Sequence, residues 1–306
     1  MTEGGYYDEL WLHRKMLLDG VRNETYRQAI SKTVKAGDVV LDVGAGTGIL
    51  SLFAVQAGAK KVYAVERTGM AGMIRKLAER NGVQDVVEIF QRDIETFYAP
   101  ESVDVIVSEW MGGYGVDENM LALVLDARDL WLKPGGKMLP ESVTAWMAPA
   151  WDGKLEKEMN FWRSRPHGVD LNPIAEGMAE ELLYERHHIS KENLLAEPQK
   201  LWTHDTYTCS VEDALLPFRA SLSFSVSKAG KFSALAAWFS AKFGHGLVLS
   251  NGPDAPPTHW GRTSFPLEHP ITVEPGEAIE VKFVCEPAGP GYCRERWSVL
   301  VRGNVK

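Results

Sequence analysis

The sequence predicts an α/β chain in which a parallel, doubly wound sheet unit is followed by an antiparallel β-rich unit carrying a largely helical insertion. Three observations carry that expectation. From Val39 to Pro140 short β-branched runs alternate with longer amphipathic stretches, and a glycine-rich turn follows the first run. Beyond about Glu141 the texture changes to Trp, Thr, Val and Pro with period-two stretches.

Taken in chain order, strands are expected at residues 39–43, 61–65, 86–90, 103–107 and 137–139, with helices at 49–57, 68–81 and 118–132 between them. The last helix runs into Lys133-Pro134-Gly135-Gly136, which reads as a stop and a turn. Residues 220–227, 234–239 and 278–285 alternate as antiparallel strands do. Residues 155–195 are charged and mixed in period, with a helical piece around 175–185 and turns at Pro166 and Pro173, as expected of an inserted arm.

A length of 306 residues accommodates two domains. Hydrophobic residues at 45% and charged residues at 24% are ordinary globular usage, and no apolar run approaches the ~20 residues a membrane helix needs. The start, Met1-Thr2-Glu3-Gly4-Gly5, has no basic stretch followed by an apolar run, so a cytoplasmic protein is expected. Cys209, Cys285 and Cys293 are odd in number and form no CxxC pair, which argues against a metal site and a disulfide framework. Forty-one acidic against 33 basic side chains give a net charge of −8. That is the wrong sign for holding nucleic acid through its phosphates and favours cationic partners.

Val39-Val40-Leu41-Asp42-Val43-Gly44-Ala45-Gly46-Thr47-Gly48 is a buried strand entering a glycine-rich turn and then a helix. Glycines there let the backbone turn sharply and approach a ligand closely. Glu66 ends the next strand twenty residues after Gly46, where a carboxylate accepts the hydroxyls of a ribose. An adenosine-type ligand is indicated; the alternative is a plain tight turn with a solvated Glu66. Nicotinamide and flavin enzymes typically show GxGxxG, whereas GxGxG preceded by Asp42 resembles motif I of the S-adenosylmethionine-dependent methyltransferases.

After the strand at 103–107 comes Ser108-Glu109-Trp110-Met111-Gly112-Gly113-Tyr114-Gly115-Val116-Asp117-Glu118-Asn119-Met120. Glu109 lies at the C-terminal end of a parallel strand, where ligands of open α/β sheets bind, and Glu118 follows nine residues later across a glycine-containing loop. Two carboxylates there suit a planar guanidinium, whose five donors form a rigid fork. Solvated loop acids are the alternative.

At these residues the chain resembles the protein arginine methyltransferases, over nearly its whole length. Glu109 and Glu118 match the family's double-glutamate pair, and Thr258-His259-Trp260 matches its THW loop about 140 residues further on. Tyr6-Tyr7-Asp8 resembles the YFxxY start, and Met16 to Arg22 resembles the MLxDxVR helix. The resemblance implies a Rossmann-like class I methyltransferase domain followed by an antiparallel β-barrel domain carrying a helical dimerisation arm. The corresponding division is 1–30 as an N-terminal helical lid, 31–141 as the cofactor-binding domain and 142–306 as the barrel, with the arm at about 155–195.

It also implies S-adenosylmethionine as cofactor and roles residue by residue. Arg22 would meet the cofactor's carboxylate; Asp42, Gly44, Gly46 and Glu66 would hold its adenosyl part. Ile94 and Glu95 align with the adenine contacts, with neighbouring Asp93 a competitor because the loop before Val103 is one residue shorter than usual. Met16 and Met120 would flank the sulfonium, or else be plain apolar filling. Tyr6 and Tyr7 would close over the cofactor. Glu109 and Glu118 would orient the guanidinium, with Met111 and Trp260 beside it. Asp19 and His259 would pair across the two units as catalytic residues, the pair or Glu118 receiving the released proton, with a purely structural His259 the alternative.

Two departures stand out. The loop between the glutamates carries Gly113 and Gly115 where bulky residues are usual, and Asp117 replaces the tyrosine expected before the second glutamate. A third carboxylate there could meet the α-amino group of free arginine, or simply face water. Peptidyl arginine and free arginine or another small guanidino compound therefore both stand as substrates. A catalytically silent cofactor-binding scaffold and a methyltransferase for nucleic acid or a non-guanidino metabolite are the other classes, both disfavoured by the intact motifs and the acidic charge. A homodimer formed through the arm is the expected assembly, with no nucleic-acid or membrane partner.

Overall fold

The computed structural model describes residues 9–180, 189–289 and 291–303. Two helices, α1 (Leu10–Leu18) and α2 (Gly20–Thr33), lead into β1 (Val39–Val43), α3 (Ile49–Gln56), β2 (Lys61–Val65), α4 (Met70–Arg80), β3 (Val87–Phe90), β4 (Val103–Ser108), α5 (Leu121–Trp131) and β5 (Leu132–Leu139). The five strands form one parallel sheet in the order β3-β2-β1-β4-β5. All five residues of β1 are buried, because helices cover both faces of the sheet, and the run Val-Val-Leu-Asp-Val is accordingly continuous rather than alternating. Strand order reverses between β1 and β4, so the crevice at their C-terminal ends is the natural ligand position.

Three differences from the sequence expectation within this sheet unit have a clear physical reason. The helix expected from 118 begins at Leu121, since Asn119 adopts a left-handed φ of 50° that no α-helix accommodates. The helix expected from 68 begins at Met70, because the Thr68 amide donates to Glu66 Oε1 at 2.8 Å and the Thr68 hydroxyl accepts from the Met70 amide at 3.2 Å. The turn expected at 133–136 lies inside β5. Pairing there jumps from Val103–Leu132 to Val105–Lys137, with Gly135 at φ 79°, so the turn residues bulge the strand without ending it.

The remaining chain is antiparallel: β6 (Ser142–Ala150), α6 (Gly153–Arg163), α7 (Asn172–Glu180), β7 (Gln199–Asp205), α8 (Val211–Leu215), β8 (Phe218–Ser225), β9 (Gly230–Lys242), β10 (Val248–Ser250), β11 (Thr263–Val273), β12 (Ala278–Gly289) and β13 (Tyr292–Arg302). One sheet runs β10-β9-β6-β7, with β11 sharing the β9 edge that β10 pairs further along; the other runs β13-β12-β8. Phe265 stands at their shared core, edge-on to Phe283 at 4.9 Å and to Trp297 at 5.1 Å. The helical piece expected around 175–185 starts earlier, at Asn172, and residues 181–188 lie outside the described residues.

The arm is moored at Asp152, which is buried. Its Oδ1 accepts from the Lys154 and Leu155 amides at 3.1 and 3.0 Å and caps α6, while its Oδ2 accepts from Ser264 Oγ at 3.0 Å and its own amide donates to Ser233 Oγ at 2.7 Å. Leu155 and Met159 then pack on Ala234 of β9. Asp152→Ala removes both the cap and the Ser264 bond and is expected to cost about 2 kcal/mol, read as a lowered midpoint in urea denaturation with an unchanged slope.

Candidate active site

The turn after β1 holds Gly44, Gly46 and Gly48 at φ 71°, 57° and 77°, all in the left-handed region. At Gly48 a Cβ would also lie 2.8 Å from Ile74 Cγ2, so α4 packs against bare backbone there. Glu66 is buried at the end of β2, and each of its oxygens accepts one backbone N–H: Oε2 from Gly46 at 2.7 Å and Oε1 from Thr68 at 2.8 Å. Each oxygen keeps a lone pair for a further donor such as a ribose hydroxyl.

Asp42, wholly buried beneath the turn, accepts from Ser51 Oγ at 2.6 Å through Oδ2, while Oδ1 has no partner among the described residues. Burial pushes its carboxyl up to about 6 against the Ser51 hydrogen bonds, with the Glu66 charge adding to the rise. A buried acceptor left over beside the glycine turn fits a ligand that brings donors or positive charge.

The start of α2 organises the crevice from the other side. Asp19 caps the helix, its Oδ1 accepting from the Arg22 amide at 2.9 Å. Its Oδ2 takes both the His259 amide, at 2.8 Å, and His259 Nδ1, at 2.9 Å. Burial pushes the Asp19 carboxyl up, and the bonds from the His259 ring, the Arg22 amide and the His259 amide outweigh it, leaving the group below its ordinary value. One turn into α2, Arg22 points its Nε and Nη2 at Glu109 Oε2, at 3.2 and 3.1 Å, and its Nη1 at Asn23 Oδ1 at 2.8 Å. Two of its five N–H groups remain for another acceptor. Tyr26, a turn later, donates to the Ser108 carbonyl at 3.0 Å and so holds the end of β4 from which Glu109 projects.

Glu109 thus has Oε2 fixed by Arg22, and Oε1 receives only the Met111 amide at 3.3 Å. Glu118 is half-buried at the far end of the same loop. Trp260 donates Nε1 to the Met111 carbonyl at 2.6 Å and stands edge-on to Phe239 at 5.0 Å, so the indole pins the loop to the antiparallel unit as well as bordering it. Asn251, buried, donates Nδ2 to the carbonyls of Gly113 at 2.7 Å and Gly261 at 2.8 Å, and ties the loop to the segment following Trp260.

Asp117 corrects the sequence expectation. It is completely buried and turns inward, Oδ2 accepting from the Gly113 amide at 2.7 Å and Oδ1 from the Tyr114 amide at 3.1 Å. Burial pushes its carboxyl up, and these backbone bonds oppose the rise. A Cβ at Gly112 would collide with the Asp117 carboxylate, and one at Gly113 with Thr263 Oγ1. The space at Gly113 is therefore filled by Thr263 and that at Gly115 by Val143 and Phe239, while the Asp117 carboxylate is turned onto the loop backbone rather than toward solvent.

Of the other expected residues, Tyr6 and Tyr7 lie outside the described residues. Met16 is half-buried near the end of α1, its carbonyl accepting from the Asp19 amide at 3.2 Å. The Met120 Cε lies 3.6 Å from where a Gly44 Cβ would stand, beside the glycine turn. Ile94 is half-buried in a short 3-10 turn, Ile94–Thr96, with Asp93 and Glu95 exposed on either side. His13 was not singled out by sequence, yet it is buried with Cε1 3.3 Å from a Cβ built on Gly46. The only clue along the chain is its place three residues before Met16, on the same face of α1.

The family described as "Arginine methyltransferase oligomerization subdomain" matches residues 141–295, and that described as "Ribosomal protein L11 methyltransferase (PrmA)" matches residues 26–122. The chain is similar to protein arginine N-methyltransferase 6 of Danio rerio, with 36% identity over 293 residues that cover 92% of this chain and 83% of that protein. It is 34% identical over 317 residues to a probable protein arginine N-methyltransferase 6 of Arabidopsis thaliana, covering 90% and 72% of the two chains. Among solved structures it superposes on the Trypanosoma brucei PRMT1 enzyme-prozyme heterotetrameric complex with AdoHcy with a TM-score of 0.88 and 30% identity, over 99% of this chain and 96% of that one.

The Asp19 bridge carries a pH signature. A carboxyl held below its ordinary 3.8 in the folded chain adds stability at pH values above 3.8 and loses it as pH falls through the folded value. The stability gap between the unsubstituted protein and Asp19→Asn is expected to narrow as pH falls below about 3.8, as read by chemical denaturation at each pH.

Proposed function

The chain belongs to the protein arginine methyltransferase family, and from that membership we propose that it moves the methyl group of S-adenosylmethionine onto a terminal guanidino nitrogen of arginine residues in proteins. The observation that carries this reading is Glu109, held by Arg22 at the mouth of β4, on a loop that ends in Glu118 and faces the glycine turn. The free-arginine alternative leaned on Asp117 and on open space in that loop, and both are used up internally. A silent scaffold would have no need of a carboxylate whose orientation is set by a buried arginine.

S-adenosylmethionine supplies an electrophilic methyl group on a cationic sulfur. Asp42, Glu66, the amides of the glycine turn and the two remaining Arg22 donors are the residues proposed to hold it, with Met16, Met120, Ile94 and Glu95 bordering it. A protonated guanidinium is a poor nucleophile because its lone pairs are delocalised. Carboxylates on two of its nitrogens draw positive charge toward them and leave the third better able to attack. Orientation is the larger share, since reactants held in line gain ~7 kcal/mol or more over free encounter. In this scheme Arg22 fixes Glu109 so that Oε1 meets the substrate, Glu118 takes the opposite edge, and the proton released after transfer passes to Glu118 or to His259. Met111 and Trp260 border the entering side chain.

We propose a homodimer as the assembly. The match of residues 141–295 to an oligomerization subdomain supports it, as do Phe161 and Ile174 exposed on the arm and Leu10, Leu17 and Leu18 exposed on α1. Sedimentation is expected to give a dimer, and the double substitution Phe161→Glu with Ile174→Glu a monomer. For the chemistry, Glu109→Gln and Glu118→Gln should each lower kcat at least about a thousandfold while cofactor affinity, measured calorimetrically, stays near that of the unsubstituted protein. Mass analysis of labelled products should show methyl groups on an arginine-rich peptide and none on free arginine; unchanged turnover in both variants would sink the assignment.

A further inference from the structure

The inward face of β13 is apolar except at one position. Cys293, Glu295, Trp297, Val299 and Val301 alternate toward the core, while Arg294, Arg296, Ser298 and Leu300 are exposed. A carboxylate in that row demands a donor. The donor is Tyr114, whose hydroxyl reaches Glu295 Oε1 at 2.8 Å from 181 residues away in sequence. Tyr114 sits at the tip of the loop between Glu109 and Glu118, where Gly112 and Gly115 exchange backbone bonds at 3.2 and 3.4 Å. Its ring is wholly buried among Phe265, Phe283 and Trp202, at 5.6, 6.1 and 6.4 Å, so the loop tip plugs into the core of the antiparallel unit.

The same hairpin holds both neighbours of Glu118. The Cys293 amide donates to the Asp117 carbonyl at 2.9 Å and Cys293 Sγ to the Val116 carbonyl at 3.4 Å. On the other side of Glu118, Asn119 Nδ2 donates to the Gly289 carbonyl at 2.8 Å. The loop therefore begins on the parallel sheet at Glu109 and ends on the β12–β13 hairpin at Glu118. Between those ends the Tyr114–Glu295 bond ties the loop tip to the same hairpin.

We infer that Glu295 is a positioning residue for methyl transfer: through the Tyr114 hydroxyl it seats the loop that carries Glu118, and the C-terminal hairpin sets the geometry of the glutamate pair. This rests on the function proposed above, and extends it to a residue no motif marks. The groups facing Glu295 are Tyr114 and Asp117 from the loop and Cys285, its cross-strand partner on β12, with Cys293 along its own strand; none is a cation. Burial accordingly pushes its carboxyl up to about 7, against the Tyr114 bond and with the Asp117 charge adding to the rise. A carboxyl raised in the folded state destabilises as pH climbs from its ordinary 4.5 to about 7 and contributes a constant penalty above.

The test uses the full chain with S-adenosylhomocysteine or S-adenosylmethionine and three variants. Tyr114→Phe and Glu295→Leu each remove one end of the link; Glu295→Gln keeps an acceptor. The first two should speed amide exchange across residues 112–120 and lower kcat on an arginine-rich peptide about tenfold, with the cofactor KM within about twofold. Glu295→Gln should recover at least about half of kcat and abolish the loss of stability between pH 4.5 and 7. Unaltered exchange and kcat in Tyr114→Phe, which alters a single hydroxyl, would overturn the inference. Should the unsubstituted protein fail to methylate any arginine peptide, the functional reading falls by itself, and the exchange measurement still decides whether the hairpin seats the loop.

Discussion

Three hydrogen bonds converge on Asp19. One oxygen caps α2 through the Arg22 amide, and the other takes the amide and the ring of His259, 240 residues away. Bonds to an ionised carboxylate are roughly twice as strong as neutral ones, and here they are shielded from water. The start of α2 is therefore fixed simultaneously to its own helix and to the antiparallel unit. From that fixed start the helical period delivers Arg22 to Glu109 and Tyr26 to the Ser108 carbonyl. The indole of Trp260, next to His259, returns to the Met111 carbonyl and closes the circuit. Asp19 thereby determines where Arg22, Tyr26 and His259 stand.

Carboxylates recur throughout the crevice, and each buried or half-buried one has its own partners. Glu66 is satisfied by two backbone amides, Asp117 by two others, Glu109 by an arginine, and Asp42 only on one oxygen. These matches separate scaffold from site. Asp117 is closed on itself and serves the loop, whereas Asp42 retains an unspent acceptor and Glu109 an oxygen with only a long contact. An unpaired buried polar group is costly, which makes the open oxygen of Asp42 the exception among these carboxylates.

Between the two glutamates the glycines and Asp117 form one close-packed arrangement. Glycine at 112 and 113 lets the Asp117 carboxylate lie directly on the loop backbone, and side chains there would meet Asp117 or Thr263. Tyr114, flanked by glycines, is then free to swing into the aromatic core and meet Glu295. At Gly113 the space is taken by Thr263 of β11 and at Gly115 by Val143 of β6.

The order of strands and helices along the chain, the glycine turn, Glu66 and the two glutamates of the loop after the fourth strand were all legible, because periodicity and short-range spacing encode them directly. Element ends were less so: Asn119 and the bulge at Lys133–Lys137 obey tertiary packing over local propensity. The direction of Asp117 was misread, since an acid before a glutamate looks the same in sequence whether it faces solvent, a substrate or its own backbone. Arg22 against Glu109, His13 beside Gly46, Asn251 between two loops and Tyr114 on Glu295 had no signal in spacing at all. Their partners lie tens to hundreds of residues apart, and only the docking of an antiparallel unit on the mouth of a parallel sheet brings them within hydrogen-bond reach.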